Sequence, residues 1–379
     1  MARTTLISTV GTSLFDGNLK ALTEKTTWAP ANRQVLHESW IQQDWDALVR
    51  HLSDVDPRLR VCGAEINSIE EVRHGERVQL EHLVFMVSDT AKGRDTGRVL
   101  QKYFEARTDL RLRKFEYQVV DDLQDERPAD FRTHGLRNLV RHIGATVQAV
   151  GGPDFVAIDA TGGYKAQIAI AVLVGQAMDI PVYYKHEFFN QVIDFPPMPI
   201  AFDYDLLGRN ADILTALEKN QTFTSDELFD VDDKLRVFLI EVPVDHAVLY
   251  ELSPVGQIYL QGFRVRFPRV ARLIPSAHRR EPSFRDDHYP IGFREFVHKV
   301  WAETPWISTT NSLPYRDQRA IKGIGFNVRE SDGKPRLVGT YQDRDSFGGR
   351  FRIHLDDEAR DTLAAAALEL NQRYGDLRS

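Results

Sequence analysis

Three short loops in this chain carry the residue types that hold a phosphate or a ribose. Val10-Gly11-Thr12-Ser13-Leu14 follows one apolar, β-branched run. Val87-Ser88-Asp89-Thr90-Ala91-Lys92-Gly93-Arg94 follows a second, and Ile158-Asp159-Ala160-Thr161-Gly162-Gly163-Tyr164-Lys165 follows a third. Loops of Gly, Thr and Ser after a strand offer backbone N–H groups and hydroxyls, both of which donate to phosphate oxygens. The paired glycines let the backbone approach a ligand closely. Lys165 stands in the first turn of the helix that follows, beside its exposed N–H groups. A lone TGG-x-K is equally the composition of a tight strand–helix turn. The P-loop spacing G-x-x-x-x-G-K-[ST] is missing, and so is G-x-G-x-x-G.

A second group lies toward the C-terminus. Arg329, Arg336, Arg350 and Arg352 are spread over three strand-like segments, with Tyr341 and His354 nearby. Arg350 and Arg352 alternate along one segment and so point to the same face. A guanidinium stays protonated, which suits a fixed charge clamp and not a proton carrier. Proton transfer there falls to Tyr, His, a depressed Lys or a carboxylate. A solvated, arginine-rich sheet face has the same composition.

The elements that must position the first group are strands at 4–10, 59–64, 80–87, 112–120, 155–160 and 181–185. Helical stretches at 34–54, 94–107, 133–150 and 163–178 lie between them. Alternating strands and helices predict an α/β domain with a mostly parallel sheet, in which ligands sit at the carboxyl ends of the strands. The pattern changes after Pro196-Pro197-Met198-Pro199. Two short helices at 208–219 and 224–230 precede LRVFLIE and VLYELSPVGQIYLQGF, the latter ending in a helix. Residues 267–290 are rich in Arg and Pro and read as an extended arm. Helix 292–303, strands 324–331, 335–342 and 350–355, and a last helix at 356–374 capped by Asp356 make a small α+β unit.

The 379 residues suffice for two or three domains, with 42% hydrophobic and 27% charged residues as in an ordinary globular chain. No apolar run reaches the length of a membrane span, and the N-terminus has no signal-peptide pattern, so a cytoplasmic protein with no membrane contact is expected. The single cysteine, Cys62, excludes an intramolecular disulfide and a thiolate zinc cluster. Charge is uneven: residues 264–379 hold 21 Lys and Arg against 16 Asp and Glu, while residues 1–263 hold 27 against 39. A basic C-terminal part on an acidic chain points to a nucleic-acid contact at that end.

Taken as a set, GTS, SDTxxG and DATGGYK after three strands, with PVYYKHEF following, resemble the CARF domain of CRISPR ancillary nucleases over residues 1–200. That resemblance implies a Rossmann-like fold and a homodimer whose two-fold axis passes through the ligand cleft. It also implies a cyclic oligoadenylate, cyclic tetra-adenylate first, as allosteric activator, because a symmetric ring suits two identical half-sites. Carried onto this chain, its contacts are Gly11, Thr12, Ser13, Ser88, Asp89, Thr161, Gly162, Gly163 and Lys165.

Residues 201–263 look like a winged helix-turn-helix connector. Residues 264–379 are similar in element order to the RelE ribonuclease fold, with Arg336-Leu337-Val338 resembling its arginine-bearing strand. That resemblance implies an endoribonuclease that cuts mRNA on the ribosome; the acidic residues 1–263 would repel rRNA, so docking through a ribosomal protein such as the stalk is expected. Such an enzyme works without metal or cofactor: a ribose 2′-OH is deprotonated and attacks the adjacent phosphate, and guanidinium groups stabilise the phosphorane. The expected catalytic set is Arg329, Arg336, Tyr341, Arg350, Arg352 and His354, with Tyr341 as first choice for the base and His354 second.

The R-x-x-x-x-H spacing of HEPN ribonucleases is met at Arg137 and His142, inside the α/β region, and reads as a solvated helix face. Asp317 with Asp332-Gly333-Lys334 has the letters of a metal-dependent PD-(D/E)xK nuclease, but SDGKP is a turn composition. A transcription regulator reading DNA through the winged helix is the alternative from another class.

Overall fold

A computed structural model describes residues 3–22, 27–186, 189, 191–228, 231–245, 247–285, 288–314 and 322–378. The chain forms two compact units, residues 1–200 with 257–265 and residues 201–256 with 266–379.

In the first unit, Thr5–Thr9 (β1) is a β-branched, apolar run with every residue buried. It takes the centre of the sheet, where both faces need apolar cover. Around it lie β2 (His82–Ser88), β3 (Lys114–Val120), β4 (Val156–Asp159), β5 (Val182–Tyr184) and β6 (Ile193–Phe195). The order is β3-β2-β1-β4-β5-β6, and every pair is parallel except β5 with β6. The helices are α1 (Arg33–Ile41), α2 (Trp45–Ser53), α3 (Gly63–His74), α4 (Ala91–Ala106), the single turn α5 (Pro128–Asp130), α6 (Leu136–Ala149) and α7 (Lys165–Met178). This is a Rossmann-like strand order. The chain winds outward in opposite directions from β1 and β4, and the carboxyl ends of the strands at such a switch point are where open α/β sheets bind ligands.

Two expectations fail here for local reasons. The strand expected at 59–64 is a 3-10 turn, Arg60–Cys62, running into α3. Val61 and Cys62 are fully buried, and a short buried apolar run has no period that separates strand from helix. The single helix expected at 34–54 is two. Gln43 has a φ of +55°, and the Asp44 carboxylate accepts the Ala47 N–H at 3.0 Å, capping α2 afresh.

The second unit contains α8 (Asp205–Arg209), α9 (Ala211–Glu218) and a hairpin of β7 (Leu239–Val244) and β8 (Ala247–Leu252). After α10 (Pro254–Arg266) and the short α11 (Arg269–Arg272) come α12 (Phe293–Glu303), β9 (Thr309–Ser312), β10 (Gly325–Ser331), β11 (Lys334–Gln342), β12 (Gly348–His354) and α13 (Arg360–Tyr374). The last four strands form an antiparallel sheet of order β10-β11-β12-β9. Phe326, Leu337, Phe351 and Ile353 are fully buried on one face. There Phe351 meets Phe293 and Phe296 of α12, and Phe326 meets Tyr374 of α13.

Both edges of this sheet carry a covering contact. At β10 the Asn371 side chain accepts the Phe326 N–H at 2.9 Å and donates to the Phe326 carbonyl at 2.6 Å. At β9 the backbone of Ser283 donates to Thr310 O and accepts from Ser312 N. The expected arm at 267–290 is therefore in part a helix and in part a strip laid along β9, and β6 and β9 themselves were not expected. Residues 224–228 form turns, not the start of a helix, and Phe229 and Asp230 lie outside the described residues. Asp356 does not cap α13; its carboxylate accepts from Ser276 Oγ and the Ala277 N–H. The connector expected at 201–263 is not a body of its own, since 201–256 and 257–265 fall in different units.

Candidate functional site

In the first unit the loops after β1 and β4 close on each other at the switch point. Thr9 Oγ1 donates to the Gly162 carbonyl at 2.6 Å. A Cβ on Gly11 would lie 2.7 Å from Gly163 N, and one on Gly162 would lie 2.1 Å from Glu65 Oε1. Gly163 has a φ of +100°. These three glycines are thus fixed first by loop-on-loop packing, a reason that needs no ligand. The surface of the crevice is then made by partly exposed Thr12, exposed Ser13 and exposed Lys165. Lys165 is the first residue of α7 and makes no ion pair or hydrogen bond among the described residues. The leading N–H groups of that helix have no intrahelical acceptor, so an anion placed there meets both them and the ammonium.

Three expected contacts have their polar atoms engaged within the protein. Thr161 Oγ1 donates to Asp159 Oδ1 at 2.6 Å and accepts the Lys185 N–H at 2.9 Å. Ser88, 4% exposed, bonds to Thr90 Oγ1. Asp89 is held through both oxygens, by Arg94 at 2.5 Å and by the Asp122 N–H at 3.2 Å. Their polar atoms build the loops, whereas Thr12, Ser13 and Lys165 are partly or fully exposed.

Beneath the crevice lies a polar layer. Asp159 is fully buried and accepts from Ser8 at 3.0 Å, Ser68 at 2.6 Å and both the N–H and hydroxyl of Thr161. Burial outweighs those bonds and holds its pKa above the usual carboxylate range. Glu65 of α3, also fully buried, accepts the Gly11 N–H at 2.8 Å through Oε1, while Oε2 has no hydrogen-bond partner. Burial, with the charge of Asp159 adding to it, pushes its pKa up to about 7. Gln167 Oε1 caps the Tyr164 N–H at 3.1 Å, and Gln167 Nε2 has no partner.

In the second unit the strand register sorts the arginine group. Arg329 pairs with Arg336, Val338 with Arg352 and Thr340 with Arg350. Paired residues share a face and so do alternate ones, so Arg329, Arg336, Arg350, Arg352 and His354 all lie on the face opposite the phenylalanine core. Glu358 gathers two of them: Arg352 Nη2 reaches its oxygens at 2.9 and 3.2 Å, and His354 Nδ1 lies 3.3 Å from Oε1. Arg336 is paired with Asp332 at 3.0 Å. Burial and then the Arg352 charge lower the His354 pKa, against the opposing pull of Glu358. The lowered pKa favours the neutral ring, and in the tautomer that donates Nδ1–H to Glu358 the Nε2 lone pair is an acceptor. Tyr341 has the other parity: it lies on the core face, donates to the Ile291 carbonyl at 2.9 Å and packs on Phe296. Burial raises its pKa, and its face of the sheet is not the one that carries the arginines.

The remaining motifs separate. Arg137 is 2% exposed and bonds to His134, and His142 is bonded to Gln118 with its pKa lowered by burial. This is a buried helix face, not the solvated one expected. Asp332 and Gly333, at φ +53° and +70°, form the two-residue turn joining β10 to β11. Asp317 lies outside the described residues. Sequence reasoning missed Glu65, Gln167, Ser68 and Glu358; polar Ser8 and Thr9 inside a buried strand were the legible sign of a polar layer.

Residues 60–198, which include Glu65 and the TGG loop, match the family model described as CRISPR-associated protein (Cas_APE2256). No curated protein matches the chain. Among solved structures, Can2 from Sulfobacillus thermosulfidooxidans, in complex with cyclic tetra-adenylate, aligns with 99% of this chain and 86% of its own at 9% identity, with a TM-score of 0.23. That score is below the level of a shared overall fold and assigns neither fold nor ligand.

Proposed function

We propose that this chain is a CRISPR ancillary effector in which a cyclic oligoadenylate, cyclic tetra-adenylate first, binds the β1/β4 crevice and switches on RNA cleavage at the arginine face. The family match over residues 60–198 supports the CRISPR setting, and the CARF-like loops support the ligand class. The observation that carries the cleavage reading is the cluster of Arg336, Arg352, His354 and Glu358 on one sheet face. There a neutral imidazole stands among fixed positive charges.

The chemistry follows from that arrangement. His354 Nε2 takes the proton of a ribose 2′-OH, O2′ attacks the adjacent phosphorus, and the P–O5′ bond breaks. The 5′-oxygen then takes a proton from the imidazolium or from water. Arg336 and Arg352 face the charge that grows on the phosphorane, where fixed cations act most strongly. The RelE-like reading of this unit makes mRNA on the ribosome the substrate, and the acidic charge of residues 1–263 favours a ribosomal protein such as the stalk as docking point. The CARF-like reading makes the active species a homodimer that the ring shifts from an inactive to an active arrangement. The deciding experiment is RNA cleavage by the purified protein with and without cyclic tetra-adenylate. Cleavage that appears only with the ring supports the proposal, and no cleavage in either condition overturns it.

A further inference from the structure

Glu65 is a buried carboxyl placed where it touches both loops of the crevice and belongs to neither. Its Oε1 accepts the N–H of Gly11 at 2.8 Å on the β1 side. On the β4 side it occupies the space in which a side chain on Gly162 would sit. Its Oε2 is buried with no hydrogen-bond partner. A buried ionised carboxylate leaves such an oxygen at high cost, and a protonated one does so at a lower cost because no charge is desolvated. From the elements packed around it, the charged group acting on Glu65 is Asp159 at the end of β4. The loop after β1 brings the Gly11 N–H, the loop after β4 brings Gly162, and β1 brings the Thr9 carbonyl toward Gly162. None of these supplies a positive charge.

We infer that Glu65 is a proton-held clasp across the two loops, so that the crevice takes a polyanionic ring when Glu65 is neutral and loosens its hold when Glu65 ionises. This rests on the crevice being the ring site. Two effects work in the same direction. Ionisation sets a second negative charge against Asp159 beneath the loops, and it adds repulsion directly below the phosphates. A bound anion in turn raises the affinity of Glu65 for its proton, the same linkage seen from the other side. The group titrates near neutrality because burial has already moved it to about 7, so modest acidification tightens binding.

The test is calorimetric titration of the full chain with cyclic tetra-adenylate between pH 6 and 8.5 at fixed ionic strength. The native protein should lose affinity with rising pH, by up to about tenfold per unit between the pKa of the free and the bound protein. Glu65→Gln keeps an acceptor for Gly11 and cannot ionise, so it should bind at pH 8.5 as it does at pH 6. Glu65→Ala should bind weakly at every pH. A native affinity that does not change with pH, or a pH dependence that persists in Glu65→Gln, overturns the clasp. Carbon-13 NMR of labelled glutamate in the unliganded native protein reads the proton directly. If no variant binds the ring at any pH, the ring reading fails by itself. Where the ring does bind, a Glu65 signal moving near pH 7 in the unliganded protein agrees with the clasp, and one moving near pH 4.5 removes it.

Discussion

Tyr341 and His354 project from opposite faces of one four-stranded sheet. Tyr341 pairs with Gly349 and shares the parity of Phe351, while His354 shares the parity of Arg352. One is anchored to Ile291 and the other is oriented by Glu358. His354→Ala should therefore lower single-turnover RNA cleavage by about 10²–10⁴-fold. Tyr341→Phe, which keeps the ring contacts, should leave the rate within a few-fold of native. The reverse pattern would remove His354 from the reaction.

Arg336→Ala and Arg352→Ala should each cost about 10²–10³ in cleavage rate and leave ring affinity and dimerisation unchanged. Arg137→Ala and His142→Ala should leave cleavage nearly normal in whatever fraction folds. Arg137 is buried, so its variant should also melt lower, which circular dichroism on heating would register.

The pH–rate profile should rise with pH and level off below neutrality. His354 acts as a base only when neutral, and burial and Arg352 place its pKa below the ordinary 6.5. Glu358→Gln takes away the carboxylate that raises it, so the rising limb should shift to lower pH and the plateau should fall as the ring loses its orientation. Cleavage should persist in EDTA and leave 2′,3′-cyclic phosphate ends, read by end-group analysis of the products. Complete loss restored by Mg²⁺ would favour a metal-dependent nuclease instead.

In the first unit, Lys165→Ala with Thr12→Ala should weaken ring binding by an order of magnitude or more, since a lost charged hydrogen bond costs roughly 1.5–3 kcal/mol. Thr161→Ala should act differently. It removes a donor from buried Asp159, so the melting temperature should fall together with affinity.

Stability should also depend on pH through Glu65. The folded protein keeps a proton on Glu65 up to about pH 7, which the unfolded chain has lost by pH 4.5 or so. Stability from this group is therefore complete below that lower pH and is lost as pH rises through about 7. Asp159, shifted in the same direction by burial, adds to the trend. Urea melts of native protein and Glu65→Gln should converge at pH 5 and separate at pH 8, the variant being the more stable.

The crevice was legible because its parts lie in continuous motifs: three polar loops, each directly after an apolar strand. The roles inside those motifs were not. Thr161 and Asp89 look like ligand contacts in one dimension. Only the fold shows that their partners, Asp159 with Lys185 and Arg94 with Asp122, come from the same or neighbouring loops. Glu65 was hidden for a further reason. It follows a short apolar run that reads as a strand, which would have put it far from Gly11. The arginine face was legible as alternation, but strand parity between β11 and β12 depends on where the β11–β12 turn falls, and no residue type announces that.

The contacts at the two edges of the C-terminal sheet constrain how this protein meets others. An open strand edge is a template on which a second chain can continue the sheet. Here the Phe326 amide and carbonyl are already taken by a side chain, Asn371, and Thr310 and Ser312 of β9 are already matched by Ser283. Strand addition is blocked at those positions on both sides. The arginine-bearing face is a surface of this sheet on which recognition would be made by side chains and so be open to change one residue at a time.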